Sequence, residues 1–197
     1  MTELRRRVAA ASGAGASLAA IGGIAVAIAL APWFSLADNA LSDLGVADAA
    51  AVAAAFNWGL ILAGLAGLPY AWALWTASDG LAARLVAVEF VVAMLLMAGV
   101  GAFPSDTPLH VPVALGFYLA ITVVFATDGL RRRATAAGRV ALAFAAGHLA
   151  QWWLYVAGVR LGPGLAVPEL VGAGLLIVWV LALSPVAALG PGRPAAP

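Results

Sequence analysis

The chain has 197 residues, of which 64% are hydrophobic and only 10% charged, with a formal net charge of +1. A soluble domain carries about 25% charged residues, so this composition excludes an ordinary water-soluble fold; the near-neutral balance also excludes a nucleic-acid partner bound through an extended basic face. There is no lysine and no cysteine, which removes disulfides, thiolate metal sites and a cysteine nucleophile.

A bilayer core about 30 Å thick takes roughly 20 apolar residues per helix. Six stretches meet that demand: Ala10 to Phe34, Ala50 to Trp75, Ala82 to Phe103, Pro108 to Leu130, Arg139 to Arg160 and Pro168 to Leu189. The expected fold is therefore all-α, a polytopic membrane protein with one six-helix bundle over residues 10–190. A cytoplasmic N-terminus (1–9) and a proline-rich, disordered cytoplasmic tail (191–197) flank it. The first stretch resembles a signal peptide, with Arg5, Arg6 and Arg7 ahead of an apolar run ending at Ala31. Pro32 would follow the cleavage point and block it, so the reading is a retained helix.

Between the first two helices lies a polar island, Trp33 to Gly45. Read as a short helix, it places Leu36, Ala40, Leu41 and Leu44 on an apolar stripe, opposite Asp38, Ser42, Asn39 and Asp43. Ser35 and Asp38 fit a capping box, and Gly45 suits a left-handed residue just past the helix end. Such a helix lies flat on the outer membrane surface. Capping leaves Asp43 unexplained, because it falls late in this helix, where the dipole disfavours an acid. His110, Arg160, a cation or a lipid amine is then expected beside it.

Cytoplasmic loops hold the excess of basic residues. Arg5, Arg6, Arg7, Arg84, Arg131, Arg132, Arg133, Arg139 and Arg193 fall on one side, against Arg160 on the other. This predicts a multi-pass protein of the cell membrane with both termini cytoplasmic. Asp38, Asp43, Asp48, Asp106, His110 and Glu169 then face outwards. On the inner side, Ala77-Ser78-Asp79-Gly80-Leu81 and Ala126-Thr127-Asp128-Gly129-Leu130 echo one another, each glycine being read as a helix stop.

Glycines such as Gly13, Gly22, Gly23, Gly59 and Gly64 suit close helix packing in lipid. Trp33, Trp75 and Tyr155 fit an interfacial aromatic belt, whereas Trp58 and Trp179 are expected between helices. Two ionisable residues fall inside the spans, Glu89 and His148, where burial in hydrocarbon costs at least about 2.5 kcal/mol. They lie roughly 21 Å and 18 Å below the outer ends of their helices. With Asn57 and Gln151 they form a candidate buried polar cluster in which Glu89 pairs with His148. A satisfied hydrogen-bond network is favoured there over proton transfer or substrate binding.

The candidate outer site is Asp38, Ser42, Asp43, Asp106, His110 and Glu169. Thr107 and Pro108 are read as the start of the fourth helix, Pro168 and Glu169 as that of the sixth. Asp106 and His110, one turn apart, would need a further carboxylate to hold zinc, and the expectation is no metal and no cofactor. Ser42 or Ser105 near His110 permits a serine hydrolase, but no nucleophile-elbow motif is present.

Leu41-Ser42-Asp43-Leu44-Gly45, Phe56-Asn57-Trp58-Gly59-Leu60, Gly101-Ala102-Phe103-Pro104 with His110 downstream, and Val167-Pro168-Glu169 occur in that order at the outer ends of the helices. In this the chain resembles the uncharacterised membrane family known as domain of unknown function 998. The resemblance implies a helical membrane protein with several spans and assigns no catalytic residue. Three functional readings follow, in this order: a lipid-associated protein, including a lipid-modifying enzyme with a polar site at the outer interface; a small-solute or proton-coupled transporter using Glu89 and His148; and a structural subunit. Membrane lipids are the expected partners, with no nucleic acid.

Overall fold

The computed structural model describes residues 2–189. Its helices are α1 (Glu3–Leu30), α2 (Ala50–Thr76), α3 (Leu81–Ala102), α4 (His110–Arg131), α5 (Ala136–Val156) and α6 (Ala166–Val178), and the described residues contain no strand. A 3-10 helix, Leu41–Val46, sits in the first loop, and a π-helical turn, Trp179–Leu183, continues α6. The expected tail 191–197 and Arg193 lie outside the described residues.

Among the described residues five helices are long and apolar enough to cross a membrane: α1 to α4, and α6 together with its π turn. Helix α5 has the length, 21 residues, but Arg139, His148, Gln151 and its aromatic end dilute its hydropathy. The exterior is that of a multi-pass membrane protein. Leu18, Leu62, Leu95, Leu115 and Leu149 are exposed on the outside of the bundle, while Ser17, Thr122, Asp128 and His148 are buried within it. That is the reverse of a soluble fold and matches a surface solvated by lipid tails.

Helices adjacent in sequence pack as antiparallel neighbours from α1 through α5. The crossings rest on small residues. A Cβ built on Gly23 of α1 would lie 2.7 Å from the Cα of Gly59 on α2, so only glycine permits this approach. Helix α6 closes the bundle and leans into its centre: the fully buried Trp179 packs on Phe90 of α3 and Phe125 of α4, with ring centroids 5.8 and 6.4 Å away.

Several expectations are corrected. Helix α1 starts at Glu3, with Thr2 as its N-cap and Glu3 paired to Arg6 and Arg7; it ends at Leu30, ahead of Pro32, because the residue before a proline is pushed out of helical backbone. The outer segment does not form one helix from Ser35. The Ser35 hydroxyl donates to Asp38, and the Asn39 side chain accepts the Ser35 N–H, closing a tight turn; the 3-10 helix begins only at Leu41. Gly45 lies within that helix and not in the left-handed region. It is small because the Asn57 side-chain oxygen would stand 2.6 Å from an added Cβ, and the Asn57 amide donates to the Gly45 carbonyl.

Thr107 does not cap α4. Its hydroxyl donates to the Pro104 carbonyl in a turn, and α4 begins at His110. The two inner turns also differ. Gly80 has φ +88° at the start of α3, whereas Gly129 is helical and lets α5 approach, with the Leu142 backbone N 2.7 Å from an added Cβ. Trp58 is 60% exposed on the outside of the bundle instead of lying between helices.

Candidate functional site

Loops 31–49, 103–109 and 157–165 emerge at one end of the bundle, the end that the arginine distribution is expected to place outside and that is called outer below. Backbone bonds tie the first loop to the last: the Gly164 N–H donates to the Ala37 carbonyl at 2.8 Å and the Ala166 N–H to the Asn39 carbonyl at 2.9 Å. The middle loop joins through the Ser105 hydroxyl, which donates to the Ser42 carbonyl at 3.4 Å. The three loops therefore converge.

Two carboxylates cap the 3-10 helix on consecutive amides. Asp43 accepts the Ala40 N–H at 2.9 Å and the Asn39 amide at 3.3 Å. Glu169, buried in the first turn of α6, accepts the Leu41 N–H at 2.6 Å. Asp43 therefore needs neither His110 nor Arg160 for compensation. Because the helix starts six residues later than Ser35, Asp43 falls in its first turn, where an acid is favoured. Arg160 stands over the Tyr155 ring instead, 5.2 Å from its centroid.

Beside this junction a cleft of about 510 Å³ opens between the outer halves of α4 and α5. That volume falls within the roughly 300–1,000 Å³ of small-molecule sites. Val111, Leu115, Leu119, Leu149 and Val156 form its exposed apolar flanks. Ser42, Ser105, His110, Tyr118, Thr122 and Glu169 supply its polar lining. It runs roughly 16 Å along α4, from Val111 to Thr122. The two helices close on each other at their inner ends, where Gly129 meets Gly138 and Leu142, and part towards the outside.

His110 is buried at the start of α4, with Nδ1 2.8 Å from the Phe103 carbonyl oxygen. A carbonyl only accepts, so Nδ1 carries the hydrogen, and in the neutral ring Nε2 is left as an acceptor. Ser42 and Glu169 share this lining, but no hydrogen bond joins Ser42 to His110. Asp38 and Asp106 are exposed, and neither they nor Asp43 line the cleft. Asp106 sits on the 104–107 turn, off the helix that carries His110. Among the described residues no group of three His, Asp or Glu side chains is placed to hold a metal.

The expected Glu89–His148 pair does not form, because α4 lies between their helices. Glu89 of α3 accepts the Thr127 hydroxyl at 3.0 Å. His148 of α5 accepts the Trp152 indole N–H on Nε2 at 3.1 Å. Indole only donates, so the neutral ring carries its hydrogen on Nδ1 and donates to the Thr122 oxygen at 2.7 Å. The Thr122 hydroxyl then donates to the Tyr118 carbonyl at 2.8 Å. Both ring nitrogens are satisfied, and Trp152, part of the cleft wall, is held by the chain. Gln151 donates to the Pro168 carbonyl at 3.1 Å and Asn57 to Gly45 at 2.9 Å, so the four residues bond to separate partners and form no single cluster.

Sequence reasoning passed over Asp128, which is fully buried at the inner end. It pairs with Arg132 and, at 3.2 Å, with Arg131, and accepts the Trp179 indole N–H at 2.9 Å. Arg132 goes on to the Leu183 carbonyl at 2.8 Å. Nearby, the Tyr70 hydroxyl donates to the Val180 carbonyl at 2.6 Å and also touches the Ser184 hydroxyl. The spacing of Asp128 to Arg131 and Arg132, three and four residues, was the available signal.

A family model described as "Protein of unknown function (DUF998)" matches residues 14–185. The chain belongs to that family, as the order of its outer motifs indicated. No curated protein and no solved structure matches it.

Proposed function

We propose that this member of the family is a six-span membrane protein with both termini cytoplasmic, and that it binds a membrane lipid in the cleft between α4 and α5. The observation that carries the reading is the cleft itself: apolar flanks exposed on the side of the bundle, with a polar lining gathered from three converging loops. A lipid could slide in from the bilayer without leaving hydrocarbon. Its acyl chain would lie along Leu115, Leu119 and Leu149, and its head group would reach Ser42, Ser105, His110 and Glu169. For α5, crossing is supported by its length and by its burying His148 and Gln151 in hydrogen bonds instead of exposing them to lipid. The same polar residues would serve a lipid-modifying reaction, with His110 Nε2 as the available proton acceptor.

The test is lipid retention. Purified protein in vesicles of phosphatidylcholine is irradiated with lipid analogues that carry a diazirine on the acyl chain, one with a phosphate head group and one with an uncharged head group, and the adducts of each are mapped by mass spectrometry. Adducts concentrated on 111–122 and 149–156, and reduced in Leu115→Trp and Leu149→Trp, support the reading. Adducts spread evenly over the outward faces of all helices, unchanged by either tryptophan, would reject it.

A further inference from the structure

Building on that lipid-binding reading, we infer that the cleft selects a lipid whose head group is uncharged and bears a hydroxyl, the diacylglycerol or polyprenol class, over a lipid whose head is a phosphate. The polar end of the cleft offers hydrogen-bond acceptors together with neutral hydroxyls, those of Tyr118 and Ser42 among them, and no cation. His110 spends its one hydrogen on the Phe103 carbonyl, which leaves Nε2 with a lone pair. Glu169 is a carboxyl group with one oxygen committed to Leu41. Ser105 gives its hydrogen to the Ser42 carbonyl and offers its oxygen as an acceptor, while the Ser42 hydroxyl acts as donor or acceptor. A lipid alcohol donates one hydrogen bond and accepts others, so it matches this set.

A phosphate does not match. Phosphate recognition rests on guanidinium or ammonium groups and clustered N–H donors. No arginine lines the cleft and the chain has no lysine. Arg160, the arginine nearest in sequence, stands over Tyr155 and lines a separate depression with Ala37 and Leu161. The backbone N–H groups at the start of the 3-10 helix, which would otherwise attract an anion, are taken by Asp43 and Glu169. A phosphate placed there would meet a buried acidic side chain and a ring lone pair with no counter-charge.

Three lipids with the same acyl chains separate the possibilities. Delipidated protein in detergent is presented with equimolar dioleoylglycerol, dioleoylphosphatidic acid and dioleoylphosphatidylethanolamine, and bound species are counted by native mass spectrometry. Dioleoylglycerol should be retained about tenfold over phosphatidic acid, the equivalent of one well-made buried hydrogen bond. His110→Phe, which keeps a ring in the site but no acceptor, should cut dioleoylglycerol retention several-fold and narrow its margin over phosphatidic acid, whose retention should change little. Preference for phosphatidic acid or for phosphatidylethanolamine would overturn the head-group assignment and leave the lipid cleft standing. Failure of all three to bind, or binding undiminished by Leu115→Trp, would instead remove the lipid-binding reading on which the assignment rests.

Discussion

Glu169 reaches from the first turn of α6 to the backbone N–H of Leu41, 128 positions earlier in the chain, at 2.6 Å. The contact fixes where the first outer loop meets the last helix and so sets the polar end of the cleft. Leu41 is 4% exposed, and the Glu169 carboxyl group is the acceptor its backbone N–H has.

Glu169→Ala should therefore lower thermal stability in detergent by about 1–3 kcal/mol, the cost of a buried amide left without an acceptor. Glu169→Gln keeps an oxygen at the same reach and should recover most of the loss. Equal melting temperatures for wild type and the alanine variant would show that the contact does not hold the loop.

At the opposite end, Asp128→Ala strips the partner from two arginines and from the Trp179 indole. Breaking a buried charged pair costs about 3 to 5 kcal/mol, so this should be the most damaging single change among the polar residues. Asp128→Asn retains an acceptor for Trp179 but no charge and should fall between. Melting curves of the three proteins at matched detergent give the order directly.

Glu89 and His148 bond to Thr127 and Thr122, five residues apart on the intervening helix. Their alanine variants should accordingly combine additively, within about 0.3–0.5 kcal/mol. His148 and Thr122, in direct contact, should show a coupling of about 0.5–3 kcal/mol in the same experiment. Strong coupling between Glu89 and His148 would mean that the two carry a shared proton or water after all.

Orientation is open to a labelling test that the chain's lack of cysteine makes clean. Single cysteines at Asp48 and Arg133 lie at opposite ends of the bundle. In intact cells an impermeant maleimide should modify only the first. The reverse pattern would invert the proposed topology.

The helices were legible in the sequence because length and apolarity alone decide them in lipid, where every backbone group must be bonded within its own segment. Their ends were less so: α4 was expected from Pro108 and begins at His110, since the 104–107 turn uses Thr107 against the chain behind it. At the site, Ser42, His110 and Glu169 were recognisable as polar residues at one end, but Asp43 was misassigned by placing the helix start at Ser35. Thr122, Tyr118 and Trp152 carried no warning. Their roles come from the spread of α4 from α5, a packing relationship that no local spacing encodes. The Glu89–His148 error has the same origin, for equal depth says nothing about which helix stands between.

The central position of α6 bears on the order in which the protein can be built. Helices α2 to α5 each pack on the helix just before them, so the growing chain can lay them down one hairpin at a time as they leave the ribosome. The bonds that lock the ends together await α6 and its π turn: Leu41 to Glu169, Tyr70 to Val180, Asp128 to Trp179. Until α6 has been made, the first loop has no Glu169 to hold it, Asp128 has no indole to bind, and the cleft has no finished polar end. A ribosome stalled before Ala166 would leave a bundle inserted in the membrane but unlocked, with the Leu41 amide lacking its acceptor and Asp128 held by its two arginines alone.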